Sequence, residues 1–420
     1  MSYLVSIDRL RFKLNRFSER LWVKPMFVCL LSVVAALVAK LADSTLLTHI
    51  LPTIAEESIE TLLSIMAASM LVIATFSVSS MVSAYASASS TATPRSFTLV
   101  MADDTSQNAL STFVGAFIFS IVALTAVKNH YFDTAGLFIL FVLTAIVFSM
   151  VIITFVYWVD CIARLGRLGS TVEKVERTTA RAFELRQTYP TLRCAPVTFQ
   201  GRSRPVFAPS IGYVQHIDVS ALQAWAEQAQ VQIIVAALPG MLATPDKALA
   251  YISGHPCDQT WNDCKKIAES FQIGRARLFD DDPRFGLVVL SEIAGRALSP
   301  AVNDPGTAID IIGTLLRLFI QWNEPILAKE EQMPKYDRVE MPELSVHDMF
   351  DDAFTSIARD GASTVEVSVR LQKALQTLAS VGDAAMRDAA KHHAKMALER
   401  SRISMQMKDD LAAAIAAGSK

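Results

Sequence analysis

The chain reads as an α-helical membrane protein, four transmembrane helices joined to a cytosolic α+β domain. Three observations predict this. Of 420 residues, 52% are hydrophobic, high for a soluble protein. That excess lies in four apolar stretches within the first 160 residues. Beyond Cys161 the pattern changes to alternating strand and helix signals, with 30 Lys and Arg against 31 Asp and Glu.

The expected spans are 25–41, 61–84, 109–127 and 136–159. Each is close to the roughly 17 to 25 residues that cross a bilayer core, and none shows the Lys and Glu stripe of a soluble helix. Arg9, Arg11, Lys13, Arg16, Arg20 and Lys24 precede the first span, and Arg164, Arg167, Lys174, Arg177 and Arg181 follow the fourth. The loop from Asp43 to Glu60 carries Glu56, Glu57 and Glu60 and no base. By the positive-inside rule this predicts a multi-pass inner-membrane protein with the basic segment 1–24 and the C-terminus in the cytoplasm, and "KNHYFD" as a short outside loop. The first span lacks a small-residue cleavage site behind it, so it reads as retained rather than as a signal peptide.

The second span runs on as "SVSSMVSAYASASSTATPR". A helix from Glu60 to Thr93 would be about 50 Å long at roughly 1.5 Å per residue, beyond a core of about 30 Å. It would project into the cytoplasm until Pro94 stops it. At about 100° per residue, Ser69, Ile73, Phe76, Ser80, Ser83, Ser87 and Thr91 share one side. Such a face can line a pore, with Ile73 and Phe76 as a dewetting constriction, or it can let another helix approach closely. Glu56, Glu57 and Glu60 read either as an outer attractor for cations or as a helix start that favours negative charge.

Residues 161–280 read as a linker helix, Asp160 to Gln187, followed by a β-rich part. Short strands are expected in "FQGRSRPVFAPSIGYVQHID", "VQIIVAAL" and "QIGRARLF", with helices in "VSALQAWAEQAQ" and "WNDCKKIAESF". Residues 281–420 read as mainly helical.

Few motifs carry chemistry. Lys247 in "TPDKA" resembles a lipoyl-bearing turn, but a single Lys in a turn is weak support. His255, Cys257, Asp263 and Cys264 match no usual zinc spacing, and His392 and His393, adjacent on a helix, point about 100° apart. No P-loop, nucleophile elbow, zincin or dinucleotide fingerprint is present. Neither cofactor nor metal is expected. The near-neutral soluble part argues against a nucleic-acid partner, and five cysteines on a mostly cytosolic topology read as free thiols.

The strongest polar constellation runs from Arg275 to Asp310. Asp282 before Pro283 and Asp304 before Pro305 repeat one device, an N-cap followed by proline in the first helical position. The first of these helices should reach about Leu298, with Leu287, Leu290, Ile293, Ala294, Ala297 and Leu298 as its apolar stripe. Ser299 and Pro300 end it, and Asn303 holds a turn through its side-chain amide. Arg277 with Asp282 and Arg296 with Asp304 are the expected ion pairs. Asp282, Glu292 and Asp304 would be the carboxylates of a hydrolase, but no nucleophile or His is near.

Three stretches carry a family resemblance: "TPRSFTLVMADDTSQNALSTFVGAFIFS", "GYVQHID" and "DPRFGLVVLSEIAGRALSPAVNDPGTA". Together they resemble the bacterial membrane-protein family called domain of unknown function 2254. The matching positions are Pro94, Arg95, Asp104, Gln107, Gly212, Tyr213, Asp218, Arg277, Asp282, Phe285, Gly286, Arg296, Ser299, Pro300, Asn303, Asp304 and Pro305. Gly306 departs from the bulkier residue associated with its position. The resemblance implies a four-span inner-membrane protein with a cytosolic domain, and no activity.

Three functions remain open on the sequence. The leading one is a homo-oligomeric channel or transport-type protein, seated in the lipid bilayer and controlled by its cytosolic domain. The others are a membrane-anchored scaffold or sensor and, last, a membrane-tethered hydrolase.

Overall fold

The computed structural model describes residues 22–41, 43, 52–96, 99, 104–164, 166–198, 203–253, 261–324 and 334–418. The chain divides into two compact units, one within 11–171 and one within 172–420.

Among the described residues the first unit holds four helices long and apolar enough to cross a membrane: α1 (Val23–Leu41), α2 (Glu56–Thr91), α3 (Asp104–Lys128) and α4 (Thr134–Arg164). All four expected spans are present, and the last three extend beyond the predicted limits at both ends. α3 packs against each of the other three. Its inward positions Ala109, Phe113, Ala116, Phe119, Ala123 and Val127 are buried, spaced by three and four as one helical face requires. Gly115 lets α1 approach, since a β-carbon there would collide with Val28. Buried Ser111, Ser120 and Thr144 each donate to the carbonyl four residues back at 2.7 Å, which satisfies the hydroxyl without water. Phe27, Leu30 and Leu31 on α1 and Ile146, Ile153 and Val156 on α4 are exposed, as lipid-facing positions are.

Two details differ from the sequence reading. α2 ends at Thr91, its C-cap Ala92 N–H donating to Ala88 O, and Pro94 opens a 3-10 turn, Pro94–Ser96. Proline disfavours helical geometry at the residue before it, so the helix stops short of Thr93. The expected helix from Asp160 to Gln187 is two helices. α4 ends at Arg164, and α5 (Leu168–Thr188) begins after Gly166, whose φ is +82°. A β-carbon on Gly166 would lie 2.9 Å from the Ala84 carbonyl, and Ser87 Oγ on α2 donates to the Gly166 carbonyl at 3.3 Å. The break is where the chain crosses the backbone of α2, and only glycine fits there.

The second unit begins within α5 and contains β1 (Cys194–Ala195), β2 (Arg204–Phe207), β3 (Gly212–Ile217), α6 (Val219–Ala229), β4 (Gln232–Val235), β5 (Leu242–Ala243), β6 (Ala248–Ser253), α7 (Trp261–Glu269) and β7 (Phe271–Gly274). There follow α8 (Pro283–Ala297), α9 (Pro305–Asn323), β8 (Tyr336–Glu340), α10 (Val346–Asp360), α11 (Val365–Val381), α12 (Ala384–Ser404) and α13 (Lys408–Gly418). One sheet has the order β1-β8-β4-β6-β2 and the other β5-β3-β7.

The sequence reading places no strand after residue 280, yet β8 lies in the five-stranded sheet, parallel to both β1 and β4. Its five residues, "YDRVE", bury only Val339 and Glu340, so the apolar alternation that marks a strand is missing. β7 is also shorter than expected. It stops at Gly274, where a β-carbon would meet the Gln215 amide, and Arg275 to Phe279 leave the sheet.

Leu222, Ile233, Val235, Leu249 and Val339 form the centre of the β-rich core. In the helical part, α8 packs on α9 and α10, and α11 packs on α9, α12 and α13. Phe319, Phe350 and Phe354 lie fully buried between these helices, Phe319 and Phe350 with ring centroids 4.4 Å apart.

Candidate functional site

Two regions hold the residues singled out by sequence. The first is α2. It packs inside its unit through Ile59, Leu63, Met66, Met70, Ser77, Met81, Tyr85 and Ala88. The proposed face lies to one side of this seam. Ser69, Phe76, Ser83 and Ser87 are exposed, while Ile73 and Ser80 are half-buried. The Phe76 ring meets Trp158 of α4 edge-on at 5.9 Å. The side chain of Thr91 lies outside the described residues. Among the described residues, then, this face is covered only in part, by Trp158 against Phe76 and by the Gly166 carbonyl at Ser87. The acidic first turn of α2, Glu56 and Glu57, sits where the helix dipole favours negative charge, and Glu56 lies 3.1 Å from His130.

At the other end of α2, Pro94 and Arg95 are exposed, and the Arg95 N–H donates to Thr93 Oγ1 at 3.0 Å. Gln107 is buried at the start of α3, and its carbonyl accepts from Ser111. The Asp104 side chain lies outside the described residues, as do His255, Cys257 and the side chain of Asp263.

The second region is the corner around Asp282. Its carboxylate accepts from Phe285 N at 3.2 Å, the N-cap bond, and from Arg277 Nε and Nη2 at 2.7 and 3.0 Å. The Arg277 guanidinium stands 5.3 Å from the Phe285 ring centre. The cap and the pair expected from sequence thus fall on one carboxylate. Burial pushes the Asp282 carboxyl above its ordinary value, against the pull of Arg277 and the Phe285 amide. Beneath it lies Gly240, φ +90°, with the carboxylate standing where a β-carbon would be. Gly286, one turn into α8, is closed off in the same way by Thr179 of α5.

Asp304 caps α9 through Thr307 N at 3.1 Å and Thr307 Oγ1 at 2.6 Å. The Thr307 hydroxyl and amide hold its carboxyl below the usual range. It makes no ion pair with Arg296, contrary to the sequence expectation. Arg296 is exposed, and the Asp304 oxygens are already engaged by Thr307. Asn303 is exposed, and its φ of +50° shapes the turn, its N–H donating to Ser299 O at 2.9 Å. The turn is held through backbone rather than through the side-chain amide. Ser299 and Pro300 lie in the same turn. At Gly306 an added β-carbon would come 3.3 Å from Asp304 Oδ1, a tight contact with the cap itself.

The remaining motif residues are structural in their contacts. Asp218 is the N-cap of α6, accepting from Ala221 N at 3.0 Å. Gly212 brings β3 against β7, because a β-carbon there would lie 2.6 Å from the Gly274 carbonyl. Tyr213 pairs with Gly274 on one side and Leu242 on the other.

Four groups at this corner were not legible beforehand. Asp281 meets His216 Nδ1 at 2.6 Å. Arg284 is held by Asp348 at 2.7 Å and Asp352 at 2.6 Å. Gly240 and the buried Arg186 complete the set. The signals were present only as fragments, a His in "GYVQHID" and a glycine in "LPGM". No three His, Cys, Asp or Glu side chains converge to hold a metal among the described residues, and Asp282 and Asp304 each serve a separate helix start.

Four apolar helices in one unit and a mixed α+β fold in the other define a multi-span membrane protein with a large appended unit. The chain belongs to the family described as "Predicted membrane protein (DUF2254)", whose profile matches residues 18–377. Over 223 residues, 50% of this chain, it is 26% identical to the uncharacterized protein Rv1290c of Mycobacterium tuberculosis and to the uncharacterized protein Mb1321c of Mycobacterium bovis. The matched region covers 42% of each of these relatives, so less than half of their length is spanned. No solved structure shows a significant match.

Proposed function

We propose that the protein is a homo-oligomeric channel or transport-type protein of the bacterial inner membrane, with both termini in the cytoplasm and the α+β unit as its cytosolic regulator. The observation that supports this is α2. At 36 residues it is about 54 Å long at roughly 1.5 Å per residue, far more than a bilayer core of about 30 Å. It packs one side against its own chain and leaves Ser69, Phe76, Ser83 and Ser87 exposed. In an oligomer, copies of this face around an axis would surround a hydroxyl-lined path, with Phe76 as its apolar constriction. The test is conductance and flux of the purified protein in planar bilayers and vesicles. The reading expects current that rises in Phe76→Ala and falls in Ser80→Leu. Silence of the parent chain under all voltages and ions tried sinks it.

A membrane-anchored scaffold or sensor is the second reading, favoured by the separate core that the α+β unit builds around Leu222, Ile233 and Val339. It expects the fragment from Arg164 onward to fold alone and to retain a partner while the whole chain conducts nothing.

A further inference from the structure

β2 is the outermost strand of the five-stranded sheet, beyond β6. Of its four residues only Val206 is buried, and Phe207 is 44% exposed. The outer edge of such a strand invites a further strand, because its N–H and C=O groups lack a ladder partner. Here Pro205 within the strand and Pro209 just beyond it carry no N–H, which makes this edge a poor template for a peptide.

Along this edge lies a cavity of about 590 Å³, and α7, which packs on β2, supplies the rest of its wall. Small-molecule sites measure roughly 300 to 1,000 Å³ and are mostly apolar, with a few placed polar groups. Pro205, Val206, Phe207, Ala208, Pro209 and Ala268 give apolar wall. The charged lining residues are Arg204, Lys265 and Glu269, two cations against one carboxylate. Lys265 and Glu269 stand one turn apart on α7 and are exposed, yet they form no ion pair. Lys265 has no other partner among the described residues. The cavity therefore offers apolar surface with an unclaimed ammonium group beside it.

We propose that this cavity binds a single-chain anionic amphiphile of the fatty-acid class. Its alkyl chain lies against Phe207, Pro209 and Ala268, driven there by the gain from leaving water, and its carboxylate pairs with Lys265. An alkyl chain needs none of the donors that the two prolines withhold, whereas an added peptide strand does. A cationic amphiphile would face two like charges. The site belongs to the α+β unit, and the proposal stands whether or not the membrane unit conducts.

The test is photolabelling of the full chain in nanodiscs with a diazirine-bearing dodecanoic acid, mapped by peptide mass spectrometry. Probe dissolved in the bilayer labels the four spans and serves as the internal standard. Label is also expected in the peptides carrying residues 204–209 and 264–269, removed by excess dodecanoate and retained in an equal excess of dodecyltrimethylammonium. Lys265→Glu should lower this labelling severalfold relative to the spans and make dodecyltrimethylammonium the better competitor. Phe207→Asp, at an exposed position, should keep the parent melting temperature and lower the labelling severalfold as well. No label in those peptides, equal competition by the two amphiphiles on the parent chain, or unchanged labelling in both variants overturns the proposal.

Discussion

The carboxylate of Asp282 occupies the space in which a side chain on Gly240 would stand. The β4–β5 turn and the start of α8 therefore touch through a glycine held at φ +90°. Gly240→Ala forces both a strained backbone and a clash with a buried, bidentate ion pair. Left-handed strain of about 1–2 kcal/mol adds to overpacking of about 1–3 kcal/mol. The expected loss is roughly 2–5 kcal/mol, read as a lower denaturation midpoint of the full chain in detergent.

Asp282 itself serves two partners, and its substitutions separate them. Asp282→Asn retains an acceptor for Phe285 N but weakens the pairing to Arg277. Asp282→Ala removes both, at about 1 kcal/mol for the cap and roughly 3 kcal/mol for leaving Arg277 without its carboxylate. Thermal unfolding should rank the parent above Asp282→Asn and Asp282→Ala last. Equal melting of Asn and Ala variants would show that the cap contributes nothing.

His393 makes the helical part sensitive to acid. Burial holds its pKa below the ordinary 6.5, opposed by Asp351 and reinforced by His392, His347 and Arg400. Asp351 Oδ1 is 3.2 Å from Nε2, and the ring lies against Phe350 and Phe354. The folded state favours the neutral ring, whereas the unfolded chain takes up a proton below about pH 6.5. This contribution is fully present above that pH and declines as pH falls through it. Between pH 7 and pH 5 the melting temperature should drop, and it should drop less in His393→Leu.

Cys194 is 3% exposed, and burial pushes its thiol up to about 12. Thiolate is the reactive form, so native protein at pH 8 should leave Cys194 unmodified by iodoacetamide. Cys264, half-buried in α7, should react before Cys194. Peptide mass spectrometry after timed quenching checks the order, and denaturant should abolish the difference.

How much was legible beforehand differs by region. The four spans could be read because a bilayer demands a long apolar run whatever the helix packs against. The two proline-backed caps could be read because capping is a local contract between a side chain and an amide three residues on. Arg277 with Asp282 lay within reach for the same reason, five residues apart. Arg296 with Asp304 looked equally reasonable by spacing, but the cap's own threonine took the Asp304 oxygens.

What stayed hidden depends on partners distant in the chain. β8 is polar on most of its length and is a strand only because β1 and β4 flank it. Gly166 breaks a helix because the backbone of α2 passes it, and Gly286 matters because Thr179 does. His216 finds Asp281, and Arg284 finds Asp348 and Asp352, across 64 to 68 residues. The sequence by itself determined membrane class, span count and helix starts, since those follow from local hydrophobicity and short-range hydrogen bonds. Tertiary structure alone decided which face of α2 is covered and why the glycines are glycines. Those outcomes are set by close packing between segments that no local pattern encodes.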